Sequence, residues 1–338
     1  MTAPTPLVEL RGLSRRFVRP ISMAERLQGL VEGAAMPQPV RAVDRVNLQI
    51  QQGEVLGLVG ESGCGKSTLG RVIAGLLPPT EGEVLYRGRD IARMDRLEKR
   101  AWRPRVQMVF QDPFASLNPR MRVEAIISQA PVFHGLVPRR DARDCAVRML
   151  ETVGLPASAA QRYPHQFSGG QRQRIGIARA LAMRPEFLVC DEPVAALDVS
   201  VQAQVLNLFI DLREQFKLTY LFISHDLGVV EHLCDRVAVM YLGRIVETGP
   251  AEQLFARPRH PYTQALLNEV PRIGAPKPSQ PPIRGEIPSP AAPPGGCHFH
   301  PRCPHAQARC KLEAPQLMPV SATQSAACHF SDSIPATL

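Results

Sequence analysis

The chain has 338 residues, of which 44% are hydrophobic and 21% are charged. No stretch approaches eighteen apolar residues without a charge, so we expect no membrane-spanning segment. The formal charge is +9, but basic residues are dispersed and only 5% of residues are aromatic, which argues against a nucleic-acid partner. The N-terminus lacks the basic and apolar regions of a secretory signal, which predicts a cytosolic location. Because the cytosol is reducing, we expect the eight cysteines to be thiols or metal ligands and not disulfides.

The first part of the chain contains the order of elements needed for phosphate binding. Residues 7–19 predict an edge strand, and residues 20–40 predict an irregular insertion with a short helix. Residues 55–59 form an apolar run typical of a buried strand, and a glycine-rich turn and a helix over residues 66–76 follow it. A phosphate-binding loop is therefore expected between that strand and that helix.

Four further short apolar runs predict the rest of a sheet. They lie at residues 106–110, 187–190, 220–223 and 237–240. Between residues 112 and 167 the apolar residues instead recur with helical spacing. The sequence thus predicts an α/β fold with a partly parallel, mixed sheet in a domain over residues 1–250, into which a helical subdomain is inserted at about 112–167.

The remaining residues, 251–338, predict a smaller C-terminal extension. Nine of the twenty-four residues from 271 to 294 are proline, too many for a helix or a central strand. We therefore expect an extended linker there, followed by a separate unit at residues 295–330 that contains four of the eight cysteines.

The predicted loop carries a phosphate-loop motif with the sequence GESGCGKST. Its glycines allow backbone N–H groups to surround phosphates, Lys66 can reach the outer phosphates, and the hydroxyl of Ser67 can bind Mg²⁺. The residues expected to bind nucleotide here are Gly60, Ser62, Gly63, Cys64, Gly65, Lys66, Ser67 and Thr68.

Two acidic residues follow the apolar run at 187–190. An ionised group at the end of a buried strand is costly unless it holds a cation or takes part in proton transfer. We therefore expect Asp191 to face Mg²⁺ and Glu192 to polarise the attacking water in a hydrolysis reaction.

A second possible anion site lies at Ser168, Gly169, Gly170 and Gln171, where a serine-capped, glycine-containing helix begins. An ordinary helix cap with a flexible turn explains the same residues, and the residues alone leave both interpretations open.

Six motifs together resemble the ATP-binding cassette (ABC) family over about residues 7–250. They are the phosphate loop, Gln111 after a strand, the segment 168–171, the pair Asp191 and Glu192, the Ala-Leu-Asp segment ending at Asp198, and His225. The resemblance implies ATP as substrate and a head-to-tail pair of cassettes, in which each ATP lies between one phosphate loop and the partner's segment 168–171.

The same resemblance implies roles for single residues. Gln111 would sense Mg²⁺ and the attacking water, His225 would contact the γ-phosphate, and Asp198 would link the two ATP sites. An aromatic residue of the first strand would stack on adenine. Phe17 is the candidate for this position, although the residues 20–40 alter the usual spacing and a core or surface role is equally compatible.

The C-terminal extension indicates one group within the ABC family. Residues 257–267 resemble the segment that follows the cassettes of oligopeptide, dipeptide and nickel importers, and residues 111–119 are typical of the same group. This likeness implies an importer of peptides or similar small solutes. The implied partners are two transmembrane permeases, a second ATPase subunit and an extracytoplasmic binding protein, with this chain peripheral on the cytoplasmic face of the inner membrane.

Four cysteines of the extension suggest a metal site. Cys297, Cys303, Cys310 and Cys328 lie in a unit with little apolar material for a core. No Cys-x-x-Cys pair is present, so zinc-ribbon spacing fits poorly, whereas iron–sulfur clusters accept varied spacing. Similar tails of peptide importers are associated with a 4Fe-4S cluster, which we expect here. A Zn²⁺ site that includes nearby histidines, and thiols without metal, remain alternatives.

The sequence therefore predicts an ATPase subunit of a peptide importer. One alternative is a DNA-repair cassette ATPase, but the segment between Gln111 and Ser168 is too short for the long insertions of such proteins. Another is an ATPase of iron–sulfur cluster assembly, against which the importer-like tail argues.

Overall fold

The computed structural model describes residues 5–18, 38–269 and 285–333. The insertion predicted at residues 20–40 lies almost wholly outside these ranges, and so does the predicted proline-rich linker as far as residue 284. The described part of that linker, residues 285–294, forms neither helix nor strand.

The described strands form two sheets. Their bounds are β1 Val8–Phe17, β2 Val40–Ile50, β3 Val55–Val59, β4 Glu81–Tyr86, β5 Arg89–Asp90, β6 Val106–Val109, β7 Phe187–Asp191, β8 Thr219–Ile223, β9 Arg236–Tyr241, β10 Arg244–Pro250, β11 Met318–Pro319 and β12 Ser325–Ala326. The smaller sheet has the order β2-β1-β4-β5 and is antiparallel. The larger has the order β11-β12-β10-β9-β3-β8-β7-β6.

The larger sheet is mixed, as the sequence predicts. Strands β9, β3, β8, β7 and β6 run parallel, whereas β10, β12 and β11 pair antiparallel. Every residue of β3, β7 and β8 is buried, which explains their continuous apolar sequences, because parallel strands are covered by helices on both faces. The predicted α/β class is confirmed.

Strand β1 differs from the prediction. The sequence suggested an edge strand, but β1 lies between β2 and β4 and pairs with both. Its residues Leu10 and Leu13 are buried in the core that the two sheets share. The edge prediction was wrong because polar residues along a strand indicate that one face of the sheet is exposed to solvent. They do not show whether the strand has a hydrogen-bonded neighbour on each side.

The described α-helices surround the sheets. Their bounds are α1 Lys66–Ile73, α2 Arg96–Trp102, α3 Pro113–Ser116, α4 Val123–Phe133, α5 Ala142–Thr152, α6 Gly169–Leu181, α7 Val199–Phe216, α8 Leu227–Leu233, α9 Ala251–Ala256, α10 Pro261–Asn268 and α11 Ala308–Leu312. Helices α3 to α6 follow one another between β6 and β7. In the part of the chain that the structure describes, none of the helices has the length and apolar character needed to cross a bilayer.

The C-terminal extension is attached to one edge of the larger sheet. Strand β12 pairs with β10, Glu247 being opposite Ala326. The Glu247 carboxylate is fully buried and accepts hydrogen bonds from the backbone N–H groups of Arg259 and His260 and from Gln324 Nε2. These bonds satisfy a charge that would otherwise be costly to bury, and they fix the extension to the sheet.

Candidate nucleotide site

The phosphate-loop motif lies between β3 and α1 and has a backbone that only glycine accommodates. Gly60 and Gly65 have φ values of +150° and +111°. A Cβ atom on Gly60 would lie 2.1 Å from the carbonyl oxygen of Met240, and one on Gly65 would lie 1.9 Å from that of Ala42. Because neither neighbour is a movable side-chain end, these glycines determine the bend of the loop.

Lys66 is buried beneath this loop, with 4% of its surface exposed. Its Nζ donates hydrogen bonds to the carbonyl oxygens of Gly60, at 2.7 Å, and Glu61, at 3.0 Å. The N-terminus of α1 has no side-chain cap, so its first-turn N–H groups can donate hydrogen bonds to an anion. The loop thus combines an ammonium group with free backbone donors, as phosphate binding requires.

A carboxylate and a hydroxyl group meet beside α1. Asp191, at the end of β7, is 1% exposed, and Ser67 Oγ donates a hydrogen bond of 2.7 Å to its Oδ1. Burial raises the pKa of Asp191, while the bond from Ser67 acts in the opposite direction. A buried carboxylate beside a hydroxyl offers the hard oxygen ligands that Mg²⁺ prefers, so these residues fit the ion.

Glu192 lies at the centre of a polar cluster formed by the ends of three strands. Gln111 Nε2 donates a hydrogen bond of 2.8 Å to Glu192 Oε2, and Nδ1 of His225 lies 3.3 Å from the same oxygen. Glu192 also adopts a left-handed backbone, with φ +44°, which is uncommon outside glycine and recurs at functional sites. The structure therefore brings together Gln111, Glu192 and His225, three of the four residues that the sequence assigns to catalysis, while the fourth, Lys66, lies in the phosphate loop.

The second candidate anion site is separate from this cluster. Ser168 Oγ accepts a hydrogen bond from the N–H of Gln171, and Gln171 Oε1 accepts one from the N–H of Ser168, so the two residues form a capping box for α6. Gly170 packs closely on α7, since a Cβ there would lie 2.4 Å from Val201 Cγ1. No hydrogen bond between described residues joins this segment to the phosphate loop.

Asp198 and Phe17 complete the predicted set. Asp198 precedes α7 and is exposed, and among the described residues its carboxylate has no hydrogen bond or ion pair. Phe17 is the last residue of β1 and is 38% exposed, with the guanidinium carbon of Arg15 4.8 Å from the centre of its ring. Contact of either residue with nucleotide stays a prediction.

Sequence reasoning missed two residues that contact the phosphate loop from the extension. Tyr262 Oη accepts a hydrogen bond of 2.8 Å from the N–H of Glu61, and Arg302 forms a two-bond ion pair with the Glu61 side chain. Nothing in the spacing of the sequence connects residues so far apart along the chain.

The fold and this site define a phosphate-loop ATPase, and comparison with known proteins gives the family. The sequence matches the family described as ABC transporter over residues 43–195, and the family described as oligopeptide/dipeptide transporter, C-terminal region, over residues 246–310. A probable peptide ABC transporter ATP-binding protein of Sinorhizobium fredii, y4tS, is 53% identical over 294 residues, which cover 86% of this chain and 82% of that protein.

Another relative spans nearly the whole chain. The oligopeptide transport ATP-binding protein AppF of Bacillus subtilis is 48% identical over 328 residues, covering 96% of this chain and 97% of the relative. A solved dimeric ATP-binding cassette in a post-hydrolysis state, bound to ADP and phosphate, superimposes with a TM-score of 0.61 at 28% identity, covering 72% of this chain and 98% of that one.

This chain belongs to the ABC transporter family of ATP-binding proteins, and it carries the C-terminal region of the oligopeptide/dipeptide group. It is therefore an ATPase, with ATP as its nucleotide. The relatives give no support to the DNA-repair or cluster-assembly alternatives.

The expected 4Fe-4S cluster is not supported, and that prediction was wrong. Cys297, Cys303, Cys310 and Cys328 line one small cavity, but among the described residues no three His, Cys, Asp or Glu side chains are grouped to hold a metal ion. The relatives are named as peptide-transport ATP-binding proteins without reference to a cluster. The same geometry leaves the Zn²⁺ alternative without a ligand set.

Other interactions hold the cysteine-containing unit together. The N–H of Cys297 donates to the carbonyl of Cys310, and the buried ring of Phe299 packs against Tyr241 and Tyr262. Burial raises the pKa of Cys303 to about 12 and that of Cys328 to about 11, which favours neutral thiols. Cysteine spacing was a poor guide because it does not determine whether the sulfur atoms are arranged to bind a metal ion, even where the four side chains line one cavity.

Proposed function

We propose that this chain is the ATP-hydrolysing subunit of an importer that carries oligopeptides or dipeptides into the cell. The names of the relatives and the match of the C-terminal region support the solute class. The observation that carries the hydrolysis assignment is the convergence of Gln111 and His225 on Glu192, next to the buried Asp191.

Nucleotide binding would use the loop between β3 and α1. Backbone N–H groups from Ser62 to Thr68 would surround the β- and γ-phosphates, with Lys66 exchanging its carbonyl partners for phosphate oxygens. Ser67 and Asp191 would hold Mg²⁺, which neutralises phosphate charge when bound. Phe17 would stack on the adenine.

Hydrolysis would depend on Glu192 as the group that orients and deprotonates the attacking water. Gln111 would hold the Glu192 carboxylate and the water in place. His225 would donate to the γ-phosphate, where charge develops as the bond to ADP breaks. Removal of the attacking water's proton and stabilisation of the γ-phosphoryl group that is transferred to it would thus be divided between two neighbouring strand ends.

The second half of each ATP site would come from another ATPase subunit. Ser168, Gly169, Gly170 and Gln171 would face the γ-phosphate bound by the partner, and Asp198 would connect the two sites. The position of Ser168, Gly169 and Gly170 at the N-terminus of α6 supports this arrangement, and so does the carboxylate of Asp198, which has no hydrogen bond or ion pair among the described residues.

The permeases would bind at the helices between β6 and β7. Phe133 is 78% exposed and, with Met121 and Ile126, lines a groove whose other residues are mostly polar and include Arg179. Exposed aromatic side chains around a groove are typical of protein contacts. The chain would then be peripheral on the cytoplasmic face of the membrane, and a binding protein outside the membrane would deliver the peptide.

A single substitution tests the hydrolysis assignment. Glu192→Gln removes the ionisable group and keeps its shape, so we expect ATP affinity within about twofold of the unchanged chain and turnover lowered by about a hundredfold or more. Glu214→Gln on α7, an exposed position, is the matched control and should hydrolyse ATP normally. Normal turnover by Glu192→Gln would refute the assignment.

Co-purification tests the transport assignment. The chain is tagged at its N-terminus in its native cell, the membranes are solubilised in mild detergent, and bound proteins are identified by mass spectrometry. Two multi-span permeases should be recovered. A soluble complex with nucleic acid or cluster-assembly proteins, and no permease, would contradict the proposal.

A further inference from the structure

We propose that the C-terminal extension shapes the phosphate loop, and that Arg302 and Tyr262 are positioning residues for ATP binding. This inference rests on the proposed role of the loop as the ATP site. Both residues act through Glu61, the second residue of the motif, to which no other role in nucleotide binding is assigned.

The side chain of Glu61 is held by Arg302. Nη1 of Arg302 lies 2.7 Å from Glu61 Oε2, and Nη2 lies 2.8 Å from Oε1. The Arg302 side chain is only 5% exposed, and the nearby carboxylate raises the pKa of its guanidinium group further above the usual value. Two parallel charge-assisted bonds fix orientation as well as distance, which one bond from a flexible ammonium group would not do.

The backbone of Glu61 is held by Tyr262. The hydroxyl oxygen of Tyr262 accepts a hydrogen bond from the Glu61 N–H, and the tyrosine itself is completely buried. Its ring centre lies 4.6 Å from that of Tyr241 and 5.4 Å from that of Phe299, so the hydroxyl has a fixed position. The extension therefore holds one loop residue at both its main chain and its side chain.

The fixed residue is in direct contact with the phosphate-binding group. The carbonyl oxygen of Glu61 accepts a hydrogen bond from Lys66 Nζ at 3.0 Å. A rotation of Glu61 would consequently move a partner of Lys66 and change the path of the N–H groups that follow. Preorganisation of this loop lowers the ordering cost of binding ATP, so its loss should weaken affinity more than it slows chemistry.

The extension itself is firmly placed. Backbone pairing of β12 with β10, together with the buried bonds to Glu247, attaches it to the sheet that carries the loop. Arg302 also lies within the cysteine-containing unit, between Cys297 and Cys303. A change in the packing of that unit would thus alter the ATP site by moving the ion pair between Arg302 and Glu61.

A double-mutant cycle in the full-length chain tests this inference. ATP affinity, KM and kcat are measured for Arg302→Met, for Glu61→Gln and for the combined variant. We expect each single variant to raise the Kd and KM for ATP about tenfold with kcat within about twofold, and the combined variant to resemble the single ones, because all three lose the same ion pair. Additive losses would overturn the inference.

Two further variants separate positioning from folding. Tyr262→Phe keeps the buried ring and removes only the acceptor of the Glu61 N–H, so we expect a Kd for ATP raised about threefold with a folded chain. Arg309→Ala is the matched control, since it removes an exposed ion pair with Glu313 from the same unit, and should bind ATP normally. A lowered Tm with unchanged ATP affinity in the Arg302 and Tyr262 variants would overturn the inference.

The failure of this inference can be distinguished from failure of the proposed function. If Lys66→Ala and Glu192→Gln leave ATP binding and turnover unchanged, the loop is not the ATP site. If those variants lose binding and turnover respectively while Arg302→Met binds ATP normally, only the role of the extension is refuted.

Discussion

The two regions that would form an ATP site differ in how their polar groups are held. Around the phosphate loop, Lys66, Ser67 and Glu192 each have partners within the chain. Around α6, among the described residues, the Ser168 side chain bonds only to the N–H of Gln171 in its capping box, and the Asp198 carboxylate has no partner. The phosphate loop is thus preorganised in the single chain. The region around α6 instead presents polar groups that can contact a second subunit, as a head-to-tail pair would require.

Lys66→Ala should produce the largest effect and act on the preorganised region alone. Loss of the ammonium group removes the main charged contact to the phosphates, so we expect ATP affinity to fall about a hundredfold. Titration of the isolated chain with ATP measures this loss. Binding close to that of the unchanged chain would show that the loop does not hold nucleotide.

Ser168→Ala should instead act on the region that needs a partner. We expect ATP affinity of the isolated chain to be unchanged and turnover of the assembled ATPase to fall about tenfold. Because the substitution also removes a helix cap, Asp95→Ala, which removes the capping side chain of α2, is the matched control. If both variants lose turnover equally, the loss of a helix cap explains the effect, and not the loss of a contact between Ser168 and the partner's ATP.

Asp198→Asn should have a smaller effect. Its side chain is exposed, so we expect no change in Tm, with turnover of the assembled ATPase lowered about threefold and weaker cooperativity between its two sites. Steady-state rates across a range of ATP concentrations measure both. An unchanged Hill coefficient would show that Asp198 does not link the two ATP sites.

Asp191→Asn should change the stability of the nucleotide-free chain slightly. Burial raises the pKa of Asp191, so its ionised form opposes folding at neutral pH, and stability should increase as the pH falls through that pKa. We expect the variant to have a higher Tm at pH 7, a gain that shrinks as the pH falls toward about 4, while losing the stabilisation given by Mg²⁺ with ATP. A lower Tm at pH 7 would contradict this cause.

Local motifs made much of the site predictable from the sequence. The bend of the phosphate loop depends on its own glycines, and Asp191 and Glu192 follow from the end of a buried strand. The grouping of Gln111, Glu192 and His225 depends on the order of the parallel strands, which was not predicted, and it was expected only because the family resemblance gave these residues roles at one ATP site. The 4Fe-4S prediction failed, and the ion pair of Glu61 with Arg302 was not foreseen, because both depend on how distant segments pack.

The attachment of β12 to β10 has a consequence for shortened forms of this protein. A chain that ended after Ala256 would leave the outer side of β10 without a neighbour and the Glu247 carboxylate without Gln324 and the backbone donors of residues 259 and 260. Open strand edges recruit other chains, and uncompensated buried charge destabilises the fold around it. The bare cassette would therefore tend to aggregate, and a soluble version would need a charged or bulged replacement for that edge.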